Sequence, residues 1–224
     1  MTTHEQSRGV FITFEGGEGG GKSTQIKRLA DQLVRDGRDI VVTREPGGSL
    51  GAEILRHVIL SGVGKMLGAE AETLLFAAAR DDHVRSVIAP ALARGQWVLC
   101  DRFYDSTRAY QGQLGKVDRA LMDSLQRVTI GSLQPDVTFI LDVPVEVGMR
   151  RATARRGNAA PDRFEAESVA FHQGLREAYQ AIANAEPDRC VLIDADADAD
   201  TVAASIWSAL QARVGSRTPE RKIA

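Results

Sequence analysis

The stretch FEGGEGGGKSTQ, from Phe14 to Gln25, concentrates five glycines ahead of a lysine and two hydroxyl side chains. Glycine loses more conformational freedom on folding than any other residue, so such a loop needs a functional reason. The spacing Gly-x-x-x-x-Gly-Lys-Ser, from Gly16 to Ser23, is that of a P-loop, and it lies between a strand-like run and a helix-like run. The stretch therefore predicts a site where backbone N–H groups and a helix N-terminus hold nucleotide phosphates.

The rest of the chain alternates short apolar runs with amphipathic patterns. Five runs are apolar on both faces and flanked by turn residues, as expected for strands buried in a parallel sheet. The alternation implies right-handed crossovers and helices on both faces of that sheet. We predict an α/β fold of the P-loop kinase type, with a five-stranded parallel sheet, in one domain over residues 1–224. The predicted strands are 10–15, 39–45, 97–102, 137–143 and 189–195.

The helical patterns carry their own boundary signals. The first buries Ile26, Leu29, Leu33 and Val34 on one face and ends at Gly37. In the long pattern over 71–95, a proline at position 90 predicts a kink or break. Asp200 is expected to cap the last helix, within the acidic run 194–200. The basic segment 150–165 predicts a mobile loop, or lid, between helices, and residues 215–224 predict a polar tail.

Composition narrows the class of protein. The formal charge of −2 gives no sign of a nucleic-acid partner, and no apolar run has the length of a membrane span. Cys100 and Cys190 are too few for a disulfide framework or a zinc site, and both lie in apolar runs. We expect a cytoplasmic protein with reduced cysteines and no membrane contact.

The P-loop assigns chemistry to two side chains. Lys22 is expected to reach the β- and γ-phosphates, and the Ser23 hydroxyl to ligate Mg²⁺. A P-loop alone leaves kinases, GTPase switches and motor ATPases open. The fourth strand ends in LDVPVE without an Asn-Lys-x-Asp guanine reader, and the chain has no room for motor subdomains. Small nucleotide kinases remain.

A second basic cluster follows two other predicted strands. TREPGG begins with Thr43, and CDRFYDSTRAYQG begins with Cys100. Open α/β sheets bind ligands at these carboxyl ends of strands. Asp101 is placed to position Mg²⁺, while the planar guanidinium groups of Arg44 and Arg102 suit a second phosphate.

At this point the sequence resembles a known family, the bacterial type of thymidylate kinase. FEGGEGGGKSTQ, TREPGG, LLFAAARDDHV, DRFYDSTRAYQG, PDVTFILDV and DRFEAES are similar in order and spacing to that family's segments, from Gly9 to Val214. The resemblance implies a homodimer that transfers the γ-phosphate of ATP to dTMP with Mg²⁺.

The resemblance also implies roles for the loop and the lid. Some members carry an arginine at the position of Gly19, whereas the bacterial type has glycine there and a catalytic arginine in the lid; Arg151, Arg155, Arg156 and Arg163 are available. Catalytic roles are thereby implied for Lys22, Asp101, Arg102, Arg155 and Arg156, and metal ligation for Ser23 and Asp101. Implied ATP contacts are Gly16, Gly17, Glu18, Gly19, Gly20, Gly21, Lys22, Ser23, Thr24 and Arg151.

The acceptor site is implied in the same way. Phe76 would stack on thymine, Arg80 would donate to its O4, and Tyr110 would disfavour ribose; the spacing of Phe76 and Arg80 puts them on one helical face. Glu18 would contact the sugar 3′-hydroxyl, and Glu15 is given a supporting structural role. Where the family often has Tyr or His, this chain has Phe103. The implied dTMP contacts are Glu18, Arg44, Phe76, Arg80, Arg102, Ser106, Tyr110 and Gln111.

Two other functions stay open at this point. Another P-loop kinase, for a deoxynucleoside or a different nucleoside monophosphate, would share the same loop. A deoxynucleoside acceptor would need a general base, for which Glu15 or Glu18 would serve. A non-catalytic nucleotide switch, signalling through the lid, is the third alternative.

Overall fold

The computed structural model describes residues 8–62, 66–157 and 163–215. Its sheet has five parallel strands in the order β2-β3-β1-β4-β5, which confirms the predicted fold class. Each predicted strand is present, shorter by one or two residues. The strands are β1 Phe11–Glu15, β2 Ile40–Arg44, β3 Trp97–Asp101, β4 Val137–Asp142 and β5 Cys190–Asp194.

Helices connect the strands and cover both faces. Two π-helical turns, Val84–Ile88 and Arg108–Leu114, interrupt the longer helical stretches. The first lies just before Pro90, where the missing N–H of proline predicts a break. The helices are α1 Lys22–Arg35, α2 Leu50–Leu60, α3 Ala69–His83, α4 Ala89–Ala93, α5 Tyr104–Thr107, α6 Arg119–Thr129, α7 Val145–Arg156, α8 Val169–Ala185 and α9 Ala199–Val214.

Alternation along the strands divides the core. In β1, Ile12 and Phe14 pack against α1 and α9, whereas Phe11 packs on the opposite face against Ile88 and Phe103. Because β1 lies between β3 and β4, the order of the strands reverses beside it, and the P-loop follows β1 at this switch point. The fold thus brings the loops after β1, β2 and β3 to one edge.

Three local predictions are wrong. Val34 is exposed, since it lies a third of a turn away from the buried Ile26, Leu29 and Leu33. Asp198, not Asp200, caps α9, because its Oδ1 accepts hydrogen bonds from the backbone N of Asp200 and Thr201.

The loop predicted from position 150 begins later, because the residues up to Arg156, mostly good helix formers, continue α7. Residues 158–162 of the predicted lid and residues 216–224 of the predicted tail lie outside the described residues.

Candidate active site

Two P-loop glycines have backbone geometry that other residues disfavour. Gly16 has φ 126°, and a Cβ there would lie 2.4 Å from the carbonyl oxygen of Leu141. Gly19 has φ 68°, and a Cβ there would lie 1.9 Å from the carbonyl oxygen of Gly148 in α7. An arginine at position 19 would therefore require α7 to move, which agrees with the glycine found there.

Two cations that follow different strands converge on one backbone oxygen. Lys22 Nζ donates to Gly16 O at 3.1 Å and to Gly17 O at 2.9 Å. Arg102 Nη1 donates to the same Gly16 oxygen at 3.0 Å. Burial, together with the positive charge of Arg102, lowers the pKa of Lys22. The P-loop cation and the arginine after β3 therefore meet at one point, where negative charge is favoured.

Glu18 lies within this cationic environment. Its Oε1 accepts from Arg102 Nη2 at 2.8 Å. Although burial alone would raise the pKa of Glu18, the charges of Arg102 and Lys22 lower it below its ordinary value. The carboxylate thus stays ionised and holds the Arg102 side chain over the loop.

Arg102 itself has a constrained backbone. Its φ is 66°, in the left-handed region that costs a non-glycine residue roughly 1–2 kcal/mol. A backbone hydrogen bond from Arg102 N to Phe14 O, 2.9 Å long, holds it there. Its guanidinium carbon lies 5.4 Å from the centre of the Tyr110 ring. The turn after β3 thereby aims the side chain into the cleft.

Glu15, at the end of β1, is fully buried and organises the turn after β3. It accepts from Phe103 N at 2.8 Å, from Ser106 Oγ at 2.6 Å and from Tyr179 Oη at 3.0 Å. Burial, reinforced by the charge of Asp105, raises the pKa of Glu15 to about 7. The structural role predicted for this residue agrees with these contacts.

The predicted metal ligands lie together. Ser23 Oγ donates to Asp101 Oδ2 at 3.0 Å, although the two residues come from α1 and the end of β3. A hydroxyl and a carboxylate oxygen are hard donors of the kind that Mg²⁺ prefers.

Arg44, at the end of β2, lies beside Asp101 in the sheet register. Its Nη2 donates to Glu53 Oε1 at 2.9 Å, and both side chains are about half exposed. Such an exposed pair contributes little to stability, so a ligand phosphate competes readily for the guanidinium.

The far end of the cleft contains a buried charge cluster. Arg80 donates from Nε to Glu45 Oε2 at 2.7 Å and from Nη2 to Phe103 O at 3.2 Å. His83 contacts Glu45 Oε1 at 3.1 Å through Nδ1 and Thr43 Oγ1 at 2.7 Å through Nε2. Arg80, Glu45 and His83 are all buried, so the orientation of Arg80 is fixed by the protein.

Three further predicted base and sugar contacts lie beside this cluster. Phe76 is half-buried at the cleft wall, and Tyr110 packs edge-on against Phe164, with ring centres 5.1 Å apart. Gln111 is buried and donates from Nε2 to Glu72 Oε1 at 2.9 Å. Phe103, the departure from the family pattern, packs edge-on against Phe11 in the core.

The lid arginines have different surroundings. Arg155 and Arg156 both pair with Glu165, at 2.8 Å and 2.9 Å, but only Arg155 lines the cleft. Arg163 forms an ion pair with the buried Glu72. Arg151 lies elsewhere, where its Nη1 donates to Ala195 O at 2.7 Å, in the loop between β5 and α9.

These groups surround one cleft of about 370 Å³. It brings together most of the predicted site residues, while Gly16 and Gly17 line a small adjoining cavity and Arg151 and Arg156 line neither. The predicted residues in the cleft wall are Glu18, Gly19, Gly20, Gly21, Lys22, Ser23, Thr24, Arg44, Phe76, Arg80, Asp101, Arg102, Ser106, Tyr110, Gln111 and Arg155.

Sequence reasoning missed several residues that hold the site. Glu45 lies inside the quoted TREPGG segment, so its charge beside a predicted phosphate site was a usable signal. Glu72 and Tyr179 lie in ordinary amphipathic helices, and no local pattern distinguishes them from surface or core residues. Their partners are 39 and 77 positions away, at Gln111 and Arg102.

The chain is similar to known proteins over most of its length. A family model described as Thymidylate kinase matches residues 14–206. A protein named Thymidylate kinase from Bradyrhizobium sp. (strain ORS 278) is 68% identical over 207 residues, 92% of either chain. Another of the same name, from Afipia carboxidovorans, is 62% identical over 220 residues, 98% of this chain and 96% of its own.

A solved structure is also similar. The crystal structure of thymidylate kinase from Ehrlichia chaffeensis aligns with a TM-score of 0.73 and 33% sequence identity, over 91% of this chain and all of the other. No helix among the described residues is long and apolar enough to cross a membrane.

Proposed function

The chain belongs to the thymidylate kinase family, and on that basis we propose that it transfers the γ-phosphate of ATP to dTMP, giving dTDP. The observation that carries the proposal is the convergence of Lys22 and Arg102 on the carbonyl oxygen of Gly16. A donor phosphate on the P-loop and an acceptor phosphate on Arg102 would meet there, end to end.

The chemistry asks for positioned positive charge. The acceptor oxygen belongs to a phosphate that already carries about −1.5 to −2 charge at pH 7, so no general base has to remove a proton. The barrier comes from bringing two polyanions together and from charge that moves onto the bridging and equatorial oxygens. Lys22, Arg44 and Arg102 would stabilise that charge, and the closed lid would exclude water.

The residues fit a magnesium ion bound with ATP. The Ser23 hydroxyl and the Asp101 carboxylate supply hard oxygen donors 3.0 Å apart. They would hold Mg²⁺ beside the phosphates, where its charge offsets that of the phosphate oxygens.

One lid arginine would complete the site. Arg155 lines the cleft and is itself mostly exposed in its ion pair with Glu165, so it is the better placed of the two candidates to reach the transferred phosphate. Arg156 is half-buried against the same carboxylate and would support the lid. Arg151, beside the loop after β5, would contact the ATP end of the site.

The acceptor contacts follow from the same cleft. Arg44 and Arg102 would bind the dTMP phosphate, Glu18 the 3′-hydroxyl, and Arg80 with Gln111 the polar edge of the base. Phe76 would stack on thymine, Tyr110 would lie against the sugar, and Ser106 would hold this wall through Glu15.

A homodimer is also part of the proposal. Leu50 and Ile54 on α2 and Leu74 on α3 are exposed apolar side chains on two helices that pack together. Ile54→Glu should convert the dimer to a monomer by light scattering, whereas Val128→Glu, at an exposed valine of α6, should not. A wild-type mass of one chain would contradict the dimer.

A cytoplasmic location stays a prediction.

A coupled assay with ATP and a panel of acceptors tests the activity. We expect dTMP to be the best substrate and dUMP to be phosphorylated about tenfold or more weakly, because a methyl group in an apolar pocket is worth only about 1–3 kcal/mol. Preference for thymidine would indicate a deoxynucleoside kinase, and preference for AMP or dGMP another monophosphate kinase. ATP binding without transfer to any acceptor would indicate a switch.

A further inference from the structure

Glu72 is a buried carboxylate beside the base end of the cleft. It lies in the first turn of α3 with 5% of its surface exposed, whereas Glu70 in the same turn is exposed. Burying a carboxylate is costly unless its oxygens are partnered. Among the described residues its partners are the Gln111 amide, at 2.9 Å from Oε1, and the Arg163 guanidinium, which forms an ion pair with Oε2.

The contact with Glu72 decides which way the Gln111 amide points. The oxygen and nitrogen of an amide are nearly alike in shape, so its hydrogen-bond partners fix its orientation. The Glu72 carboxylate, paired with Arg163, only accepts hydrogen bonds, and Gln111 must therefore turn its NH₂ group toward it. The Gln111 amide therefore presents its oxygen Oε1, a hydrogen-bond acceptor, to the cleft that Gln111 lines.

An acceptor in the cleft that the Arg80 guanidinium also lines matches one class of pyrimidine. Thymine and uracil present an N3–H donor next to the O4 acceptor, whereas cytosine presents an N3 acceptor next to an amino donor. We propose that Glu72 is a positioning residue which, by orienting Gln111, selects the thymine- and uracil-type imide over cytosine. The inference rests on the proposed function, since it concerns the same acceptor site.

The same carboxylate connects base selection to the lid. Arg163 follows the segment 158–162, and the adjacent Phe164 packs against Tyr110 in the cleft wall. Arg163 supplies the counter-charge for Glu72. The orientation of Gln111 therefore depends on Arg163, near the end of the predicted lid.

Glu72→Gln tests the proposal, because a neutral amide of the same shape both donates and accepts and no longer dictates how Gln111 points. The readout is kcat/KM for dCMP divided by kcat/KM for dTMP, measured on one protein sample, so the fraction of folded enzyme cancels. We expect this ratio to rise at least tenfold, since the penalty for an unmatched buried donor or acceptor is relieved. Glu70→Gln, with the same charge change in the same helical turn, should leave the ratio within twofold.

The outcomes separate this inference from the proposed function. If the wild-type enzyme phosphorylates dTMP and Glu72→Gln leaves the ratio unchanged, the positioning role is overturned and the proposed function stands. If the wild-type enzyme does not phosphorylate dTMP, both are overturned. Should Glu72→Gln fail to fold, Gln111→Leu removes the acceptor directly and must raise the same ratio; an unchanged ratio overturns the inference.

Discussion

The two ends of the cleft hold their polar groups differently. At the phosphate end, Lys22 rests on loop carbonyl oxygens and Arg44 pairs with Glu53 at the surface. At the base end, Arg80 and Glu45 form a pair in which each side chain is less than 5% exposed. At the first end the ion pair of Arg44 is exposed and therefore exchangeable, whereas the second end has a network fixed by burial.

This difference fits what each end would recognise in the proposed function. A phosphate is held by charge, and exposed ion pairs worth about 0–1 kcal/mol yield readily to it. A base is distinguished by the direction of its donors and acceptors, which requires partners that do not turn. The ion pairs of this cleft would therefore be of two kinds. A ligand phosphate would displace the exposed Arg44–Glu53 pair, whereas the buried Arg80–Glu45 pair would stay in place while the base binds.

Removing the central cation at the phosphate end should have the largest effect. Lys22→Ala is expected to lower kcat by about a thousandfold, because a preorganised charge at the transferred phosphate is lost. Steady-state kinetics with ATP and dTMP measures this. Lys27→Ala, at an exposed lysine of the same helix, is the control and should stay near wild type. Full activity of Lys22→Ala would contradict the role of the P-loop in phosphate transfer.

A matched pair of substitutions compares the two ends directly. Glu45→Gln should lower the free energy of unfolding by about 3 kcal/mol or more, since it leaves Arg80 buried without its counter-charge. Glu53→Gln, which breaks the exposed pair with Arg44, should change it by about 1 kcal/mol or less. Urea unfolding of both variants provides the test. Equal losses of unfolding free energy in the two variants would contradict the distinction between fixed and exchangeable ion pairs.

Arg155→Ala is expected to lower kcat by about a hundredfold while the dissociation constant of dTMP changes only a few-fold, because the arginine acts on the transferred phosphate. Arg156→Ala should act in the same direction, and more weakly, through Glu165. Kinetics and calorimetric titration separate the two quantities. Arg150→Ala, at an exposed arginine of α7, serves as control. Weakened dTMP binding at unchanged kcat would contradict the catalytic lid.

Glu15 should make stability depend on pH. Its pKa rises from an ordinary 4.5 to about 7 on folding, through burial and then Asp105, while Arg102 and the hydrogen bonds from Ser106 and Phe103 oppose the rise. The folded state binds this proton more tightly, so the stability due to Glu15 falls as pH rises from about 4.5 to about 7.

The measurement compares Glu15→Gln with the wild type. Between pH 5 and pH 7.5, the unfolding free energy of the wild type should fall by about 2 kcal/mol relative to that of Glu15→Gln. A constant difference for Glu15→Gln across this range would contradict the shifted pKa.

The sequence predicted the residues of the cleft motifs better than the residues that hold them in place, for a physical reason. The P-loop, TREPGG and the segment after β3 act through backbone turns and residues at strand ends, which are local in the chain. Glu72 and Tyr179 act through contacts with side chains 39 and 77 positions away. The pattern of polar and apolar residues in a helix does not indicate such distant partners. The strands were predictable because buried parallel strands are apolar on both faces. The start of the lid was not predictable, because the arginines there favour a helix but are also typical of a solvated loop.

A crystal structure with dTMP and a non-hydrolysable ATP analogue bound together is the most direct test of the shared phosphate site. We expect the dTMP phosphate at about 3 Å from the guanidinium groups of both Arg44 and Arg102, facing the γ-phosphate beside Lys22. A dTMP phosphate bound away from both arginines would contradict it.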